Sequence, residues 1–104
     1  LPIVEDVDDA DALFKALADP TRRALLDALS ERDGQTLFEL CARMATAHGL
    51  TSSRQAISQH LDVLETAGLV TRRREGRYTF HDLDTAPLAP LRERWHHPDE
   101  RTPR

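Results

Sequence analysis

At Gly68 the apolar pattern of this chain changes its period. Before it, apolar residues recur three and four apart, the spacing of amphipathic helices. Beyond it, two short runs alternate with a period of two around a Glu75-Gly76 turn, as strands of a hairpin do. A glycine-terminated helix followed at once by a hairpin leaves few folds open, because both elements must share one core within a short chain.

The helical blocks are punctuated clearly. Asp8 or Asp9 can cap a first helix carrying Ala10, Leu13, Phe14 and Leu17, while residues 1–8, acidic and without period, are expected as an irregular arm. Asp19-Pro20 supplies a cap and a first-turn proline for a second helix with Ala24, Leu25, Ala28 and Leu29 on one face, ended at Asp33-Gly34. Thr36 with Glu39 forms a capping box for a third helix whose apolar face holds Leu37, Leu40, Cys41 and Met44, with Gly49 as its stop. Ser52 with Gln55 reads as a second box, opening a fourth helix over 52–66 with Ile57, Leu61 and Leu64 as its stripe, flanked by Ala56, Val63 and Ala67. Strands are expected from Leu69 to Arg74 and from Arg77 to Asp82, with Tyr78 and Phe80 on one face. A last helix begins near Asp84 or Thr85 and carries Leu88, Leu91 and Trp95, its first turn shortened or bent by Pro90. Residues 96–104 are polar and read as a flexible tail, leaving 9–95 as one domain.

Composition limits the classes of function. Hydrophobic residues make up 39% and charged residues 31%, the balance of a globular chain. No apolar run is long enough to span a bilayer, and the acidic start lacks the apolar core of a signal peptide. The single Cys41 excludes an intramolecular disulfide and fits a reducing compartment, so a cytoplasmic location is expected. No nucleophile–base set, paired acid motif or glycine-rich phosphate loop occurs, so neither an enzyme nor a cofactor is expected. The net charge of −4 is unevenly placed. The first twenty residues hold six acids and one lysine, whereas residues 21–80 hold nine arginines against seven acids. Contact with a polyanion depends on such a local surface rather than on the average.

The order ααααββα, mainly helical with a small β-hairpin wing, is the outline of a winged helix-turn-helix, with residues 52–66 as recognition helix and 69–82 as wing. Ser52, Ser53, Arg54, Gln55, Ser58 and Gln59 lie off the apolar stripe near the start of that helix. Arginine can pair with guanine and glutamine with adenine, while serine hydroxyls and a helix N-terminus suit phosphate. Arg72, Arg73, Arg74 and Arg77 surround the hairpin turn, where like charges repel unless a phosphate backbone lies beside them. The same residues also fit a solvated helix face and a charge-protected edge strand. A winged-helix module for protein–protein contact or dimerisation, without a DNA role, is the alternative.

Ala18-Asp19-Pro20-Thr21-Arg22-Arg23, Gln55-Ala56-Ile57-Ser58-Gln59-His60-Leu61-Asp62-Val63-Leu64-Glu65 and Ala67-Gly68-Leu69-Val70 closely resemble the ArsR/SmtB-like family of bacterial repressors, over roughly residues 9–95. The resemblance implies a homodimer joined through the first and last helices, binding a double-stranded operator. Leu13, Phe14, Leu17, Leu88, Leu91 and Trp95 have too little partner surface in so small a chain and are the expected interface. A two-fold dimer implies an imperfect palindrome with half-sites about one DNA turn, ~10 bp, or a multiple apart. His60 falls on the recognition-helix motif at the edge of the apolar stripe and joins the candidate set as a packing or hydrogen-bonding residue rather than a base reader. Metal-sensing members often carry a Cys-x-Cys pair where this chain reads Cys41-Ala42-Arg43. Asp82, Asp84, His96 and His97 do not form a two-ligand spacing on one helix face, so no metal site is expected. The stretch from Glu39 to Ser53 is longer than in the shortest members.

Overall fold

The computed structural model describes residues 2–95, with side chains from residue 10 onward. Five helices and one antiparallel hairpin follow in the order α1 (Pro2–Leu17), α2 (Pro20–Glu31), α3 (Leu37–Ala47), α4 (Arg54–Thr66), β1 (Val70–Glu75), β2 (Tyr78–Leu83), a 3-10 turn (Ala86–Leu88) and α5 (Ala89–Trp95). This is a winged helix, mainly helical, as the change of period implies.

The apolar stripes meet in one core. Leu25, Ala28 and Leu29 of α2, Leu40 and Met44 of α3, and Ile57, Leu61 and Leu64 of α4 are buried with Leu13 and Ala16 of α1. Leu69 and Val70 close the core at the root of the hairpin. Each of the buried Leu, Ile, Met and Val side chains contributes about 1.5–3 kcal/mol relative to its exposed state.

Local chemistry fixes the ends. Asp19 caps α2 by accepting from the N–H groups of Thr21 and Arg22, at 2.9 and 3.1 Å, with Pro20 in the first turn. The Thr36–Glu39 box is closed in both directions: Glu39 N–H donates to Thr36 Oγ1 at 3.2 Å and Thr36 N–H to Glu39 Oε1 at 2.9 Å. Gly68, with φ of +81°, ends α4 in a Schellman turn, in which its N–H reaches Glu65 O and the Leu69 N–H reaches Leu64 O.

Four boundaries differ from the sequence expectation. Helix α1 begins at Pro2, so the backbone expected as an irregular arm is helical; a proline can open a helix. Helix α4 is capped by Ser53, which accepts from Ala56 N–H at 3.0 Å, and not by Ser52. The residue three beyond Ser53 is Ala56, which has no side chain able to close a box. The strands lie one residue later than expected, because Glu75 pairs with Tyr78 and leaves Gly76-Arg77 as the two-residue turn. Gly76, with φ of +62°, stands at the first turn position, where a tight hairpin favours glycine. The last helix is split, with a 3-10 turn holding Pro87 before α5 starts at Ala89. The expected tail, 96–104, lies outside the described residues.

Candidate nucleic-acid interface

Three elements converge on one groove of about 590 Å³: the start of α3, one side of α4 and the tip of the hairpin. Arg54, Ser58, Arg72 and Arg77 line it, with the aromatic rings of Phe38 and Tyr78. Arg54 and Ser58 are one helical turn apart, so α4 turns both to the same wall. Gln55 and Gln59 are exposed on the adjoining face of the helix, and Ser52 and Ser53 are exposed just before it. The structure thus gathers the candidate residues of the recognition helix at its N-terminal half. Ser53 differs from the rest, since its oxygen caps the helix.

The hairpin arginines divide into two kinds. Arg72 reaches back over α4, donating to Asp62 Oδ1 at 2.6 Å and standing 3.6 Å from Glu65 Oε1. Arg73 lies on the other face of β1, where it donates to Asp82 Oδ2 and Glu75 Oε2, both at 2.6 Å, and stacks 5.3 Å from the centre of the Phe80 ring. The hydrogen bond to Arg73 holds the Asp82 carboxyl below its usual value. Arg74 and Arg77 are exposed and have no ion pair among the described residues. The expectation of four mutually repelling charges is therefore corrected for Arg72 and Arg73. Carboxylates brought beside them by the helix and by the opposite strand balance their charge. Arg54, Arg74 and Arg77 remain as cations without a carboxylate partner among the described residues.

His60 is half-buried on the side of α4 away from the groove, with Nδ1 at 3.1 Å from Arg22 Nη1. It packs and hydrogen-bonds, as its place at the edge of the apolar stripe suggested.

Two residues that hold the wing in place were not legible in the sequence. Gln35 and His81 are buried polar side chains. Their backbones pair in a single antiparallel bridge that ties the segment before α3 to β2. Gln35 Nε2 donates to Ala28 O and Arg32 O at 3.0 and 2.7 Å, closing the end of α2. His81 Nδ1 lies 2.8 Å from Gln35 O, and since a carbonyl only accepts, Nδ1 carries the proton. Phe38, 70% exposed on the groove wall, was detectable as the apolar residue that falls off the α3 stripe.

Of the six expected interface residues, Leu13 is buried within the protomer, and Leu17, Leu88 and Leu91 are half-buried against the core. The idea that all six lack partners within one chain is thus corrected. Phe14 and Trp95 remain exposed and lie 6.0 Å apart, ring centre to ring centre. Cys41 is half-buried on α3. Among the described residues no three His, Cys, Asp or Glu side chains are grouped to hold a metal ion. His96 and His97 lie outside those residues. No described helix is long and apolar enough to cross a membrane.

The profile of a family described as a helix-turn-helix domain matches residues 17–73. The HTH-type transcriptional regulator YuzN of Bacillus subtilis is 52% identical over 82% of this chain and 92% of its own length. The transcriptional repressor SdpR of the same organism is 34% identical over 73% of this chain and 77% of its own. Among solved structures, an ArsR-like transcriptional regulator from Rhodococcus sp. RHA1 superposes with a TM-score of 0.73 at 32% identity, covering 88% of this chain and 77% of that one.

Proposed function

Because this chain belongs to the ArsR-like family of helix-turn-helix transcription regulators, we propose that it acts as a homodimeric repressor on an imperfectly palindromic operator. A DNA-binding regulator of transcription needs one protein surface that reads bases and another that holds phosphates. Arg54, Gln55, Ser58 and Gln59 are the residues to which we assign base contact. Arg74 and Arg77 are assigned to the backbone or the minor groove, and the exposed Ser52 and the N-terminus of α4 to phosphate. The observation that carries this reading is the groove between α4 and the hairpin, whose cations Arg54 and Arg77 have no carboxylate partner among the described residues. In a chain of net charge −4, cations left unpaired on one groove favour an external polyanion. The exposed Phe14–Trp95 pair, set where α1 meets α5, supports dimerisation through those helices.

The test is selection of duplexes from a random library, followed by footprinting. Two protected half-sites about 10 bp or a multiple apart are expected, with affinity at least ~10³-fold above scrambled DNA. Equal affinity for scrambled DNA would overturn the reading. Repression is checked separately, by placing the selected site over a promoter and measuring transcription with and without the protein.

A further inference from the structure

Three helices meet at one guanidinium. Arg22 is the third residue of α2, and its backbone N–H is taken by the Asp19 cap. Its side chain leaves α2 altogether. Nε donates to Ala16 O at 2.9 Å and Nη2 to Lys15 O at 2.8 Å, both in the last turn of α1, where Lys15 O also accepts from Ala18 N–H at 3.2 Å. Nη1 stands 3.1 Å from His60 Nδ1 in α4. A guanidinium has donors only and keeps its proton, so Nδ1 accepts, and the ring holds its proton on Nε2. Asp19 Oδ2 lies 4.0 Å from the same Nδ1.

We propose that Arg22 and His60 are positioning residues that fix the recognition helix against the end of α1 and so set the distance between the two recognition helices of the dimer. The inference rests on the operator reading above, which puts α1 at the dimer axis. The planar fork of Arg22, held by two backbone carbonyls, has a defined direction, and it gives His60 a defined place. Arg54 is six residues from His60, about 9 Å along the helix, so a tilt of roughly 10° moves the base-reading end by about 1.5 Å. A displacement of that size is enough to spoil hydrogen-bond readout. It would do so unevenly, since a half-site can follow a tilted helix whereas two half-sites at fixed spacing cannot.

The experiment compares a selected palindrome with duplexes one base pair longer or shorter between half-sites, and with an isolated half-site. Asparagine puts an oxygen acceptor near the place of Nδ1; glutamine puts its amide near Nε2 and leaves the Nδ1 place empty. His60→Gln is expected to lower the preference for the native spacing at least about fivefold, with dimer mass unchanged and a smaller change on the half-site. His60→Asn is expected to keep most of the preference. Arg22→Lys, which keeps the charge but has all its donors on one nitrogen in place of the three that bond Ala16 O, Lys15 O and His60, is expected to lose it as His60→Gln does. It also serves if His60→Gln folds poorly. Retained spacing preference in both loss variants, equal loss in His60→Asn and His60→Gln, or a loss fully matched on the half-site would each overturn the proposal. A wild-type protein that prefers no duplex overturns the operator reading, and this inference with it.

Discussion

Arg72 and Arg77 lie five residues apart on one hairpin, yet their surroundings predict different behaviour toward DNA. Arg72 is held by Asp62 and Glu65, and Arg73 by Asp82, Glu75 and the Phe80 ring. Arg74 and Arg77 face solvent. Each phosphate contact contributes roughly 0.9 to the slope of log affinity against log salt, doubled in a dimer. Arg74→Ala and Arg77→Ala are therefore expected to flatten that slope, whereas Arg72→Ala and Arg73→Ala are expected to leave it nearly unchanged. A salt titration in which Arg72→Ala flattens the slope as much as Arg77→Ala would reverse the assignment. Cys41 is governed by its surroundings in the same way. Burial pushes its thiol up, against the opposing charge of Arg54. With little thiolate at neutral pH, the native protein is expected to react with a thiol reagent at least about tenfold more slowly than the unfolded chain. Equal rates would show an accessible, reactive thiol.

Helix ends are the features of the elements that respond to pH. The Thr36 N–H bond to Glu39, aided by Arg32, holds the Glu39 carboxyl below its usual value of 4.5. A carboxyl lowered in the folded state contributes stability that is fully present above the unfolded value. That contribution is lost as pH falls through the lowered folded value. Glu39→Gln keeps a side-chain acceptor for the box but removes this titration. The difference in unfolding midpoint between wild type and Glu39→Gln should therefore shrink from about pH 6 to about pH 3, as measured by thermal melts. A difference that stays constant across that range would show that the box is not sensed through the charge of Glu39. The α5 end follows another rule. Pro87 and Pro90 bring no N–H to the ladder, and the chain answers with a 3-10 turn before α5.

For the whole molecule the governing question is which apolar surface one protomer leaves uncovered. Leu91 packs against the core, so Leu91→Asp would disturb the protomer as well as any dimer. Phe14, 39% exposed, and Trp95, 62% exposed, give a cleaner test. Phe14→Ala with Trp95→Ala is expected to shift a wild-type dimer toward monomer at tens of micromolar in light scattering, while the melting temperature of the monomer stays near that of the parent fold. A wild-type protein that is monomeric under those conditions would contradict the dimer reading. Weakened operator binding is expected to accompany the shift, because each protomer carries one recognition helix.

The sequence by itself determined the elements and the core. Periodicity identified Leu25, Leu29, Leu40, Met44, Ile57, Leu61 and Leu64 as core residues because a helix with one apolar stripe has one way to hide it. Asp19, Thr36 and Gly68 marked helix ends because caps act within a few residues of chain. Helix α4 and the hairpin were legible for the same local reason. The tertiary structure decided what depends on distant partners. No local pattern joins Arg72 to Asp62, Arg73 to Asp82, Arg22 to His60 or Gln35 to His81. Charge pairing and hydrogen bonding are set by distance in space, and residues up to 50 positions apart become hydrogen-bonded only once the stripes have packed. Packing thus sorted the hairpin arginines into those balanced by the protein's own carboxylates and those without a carboxylate partner among the described residues, a division that an arginine count could not make.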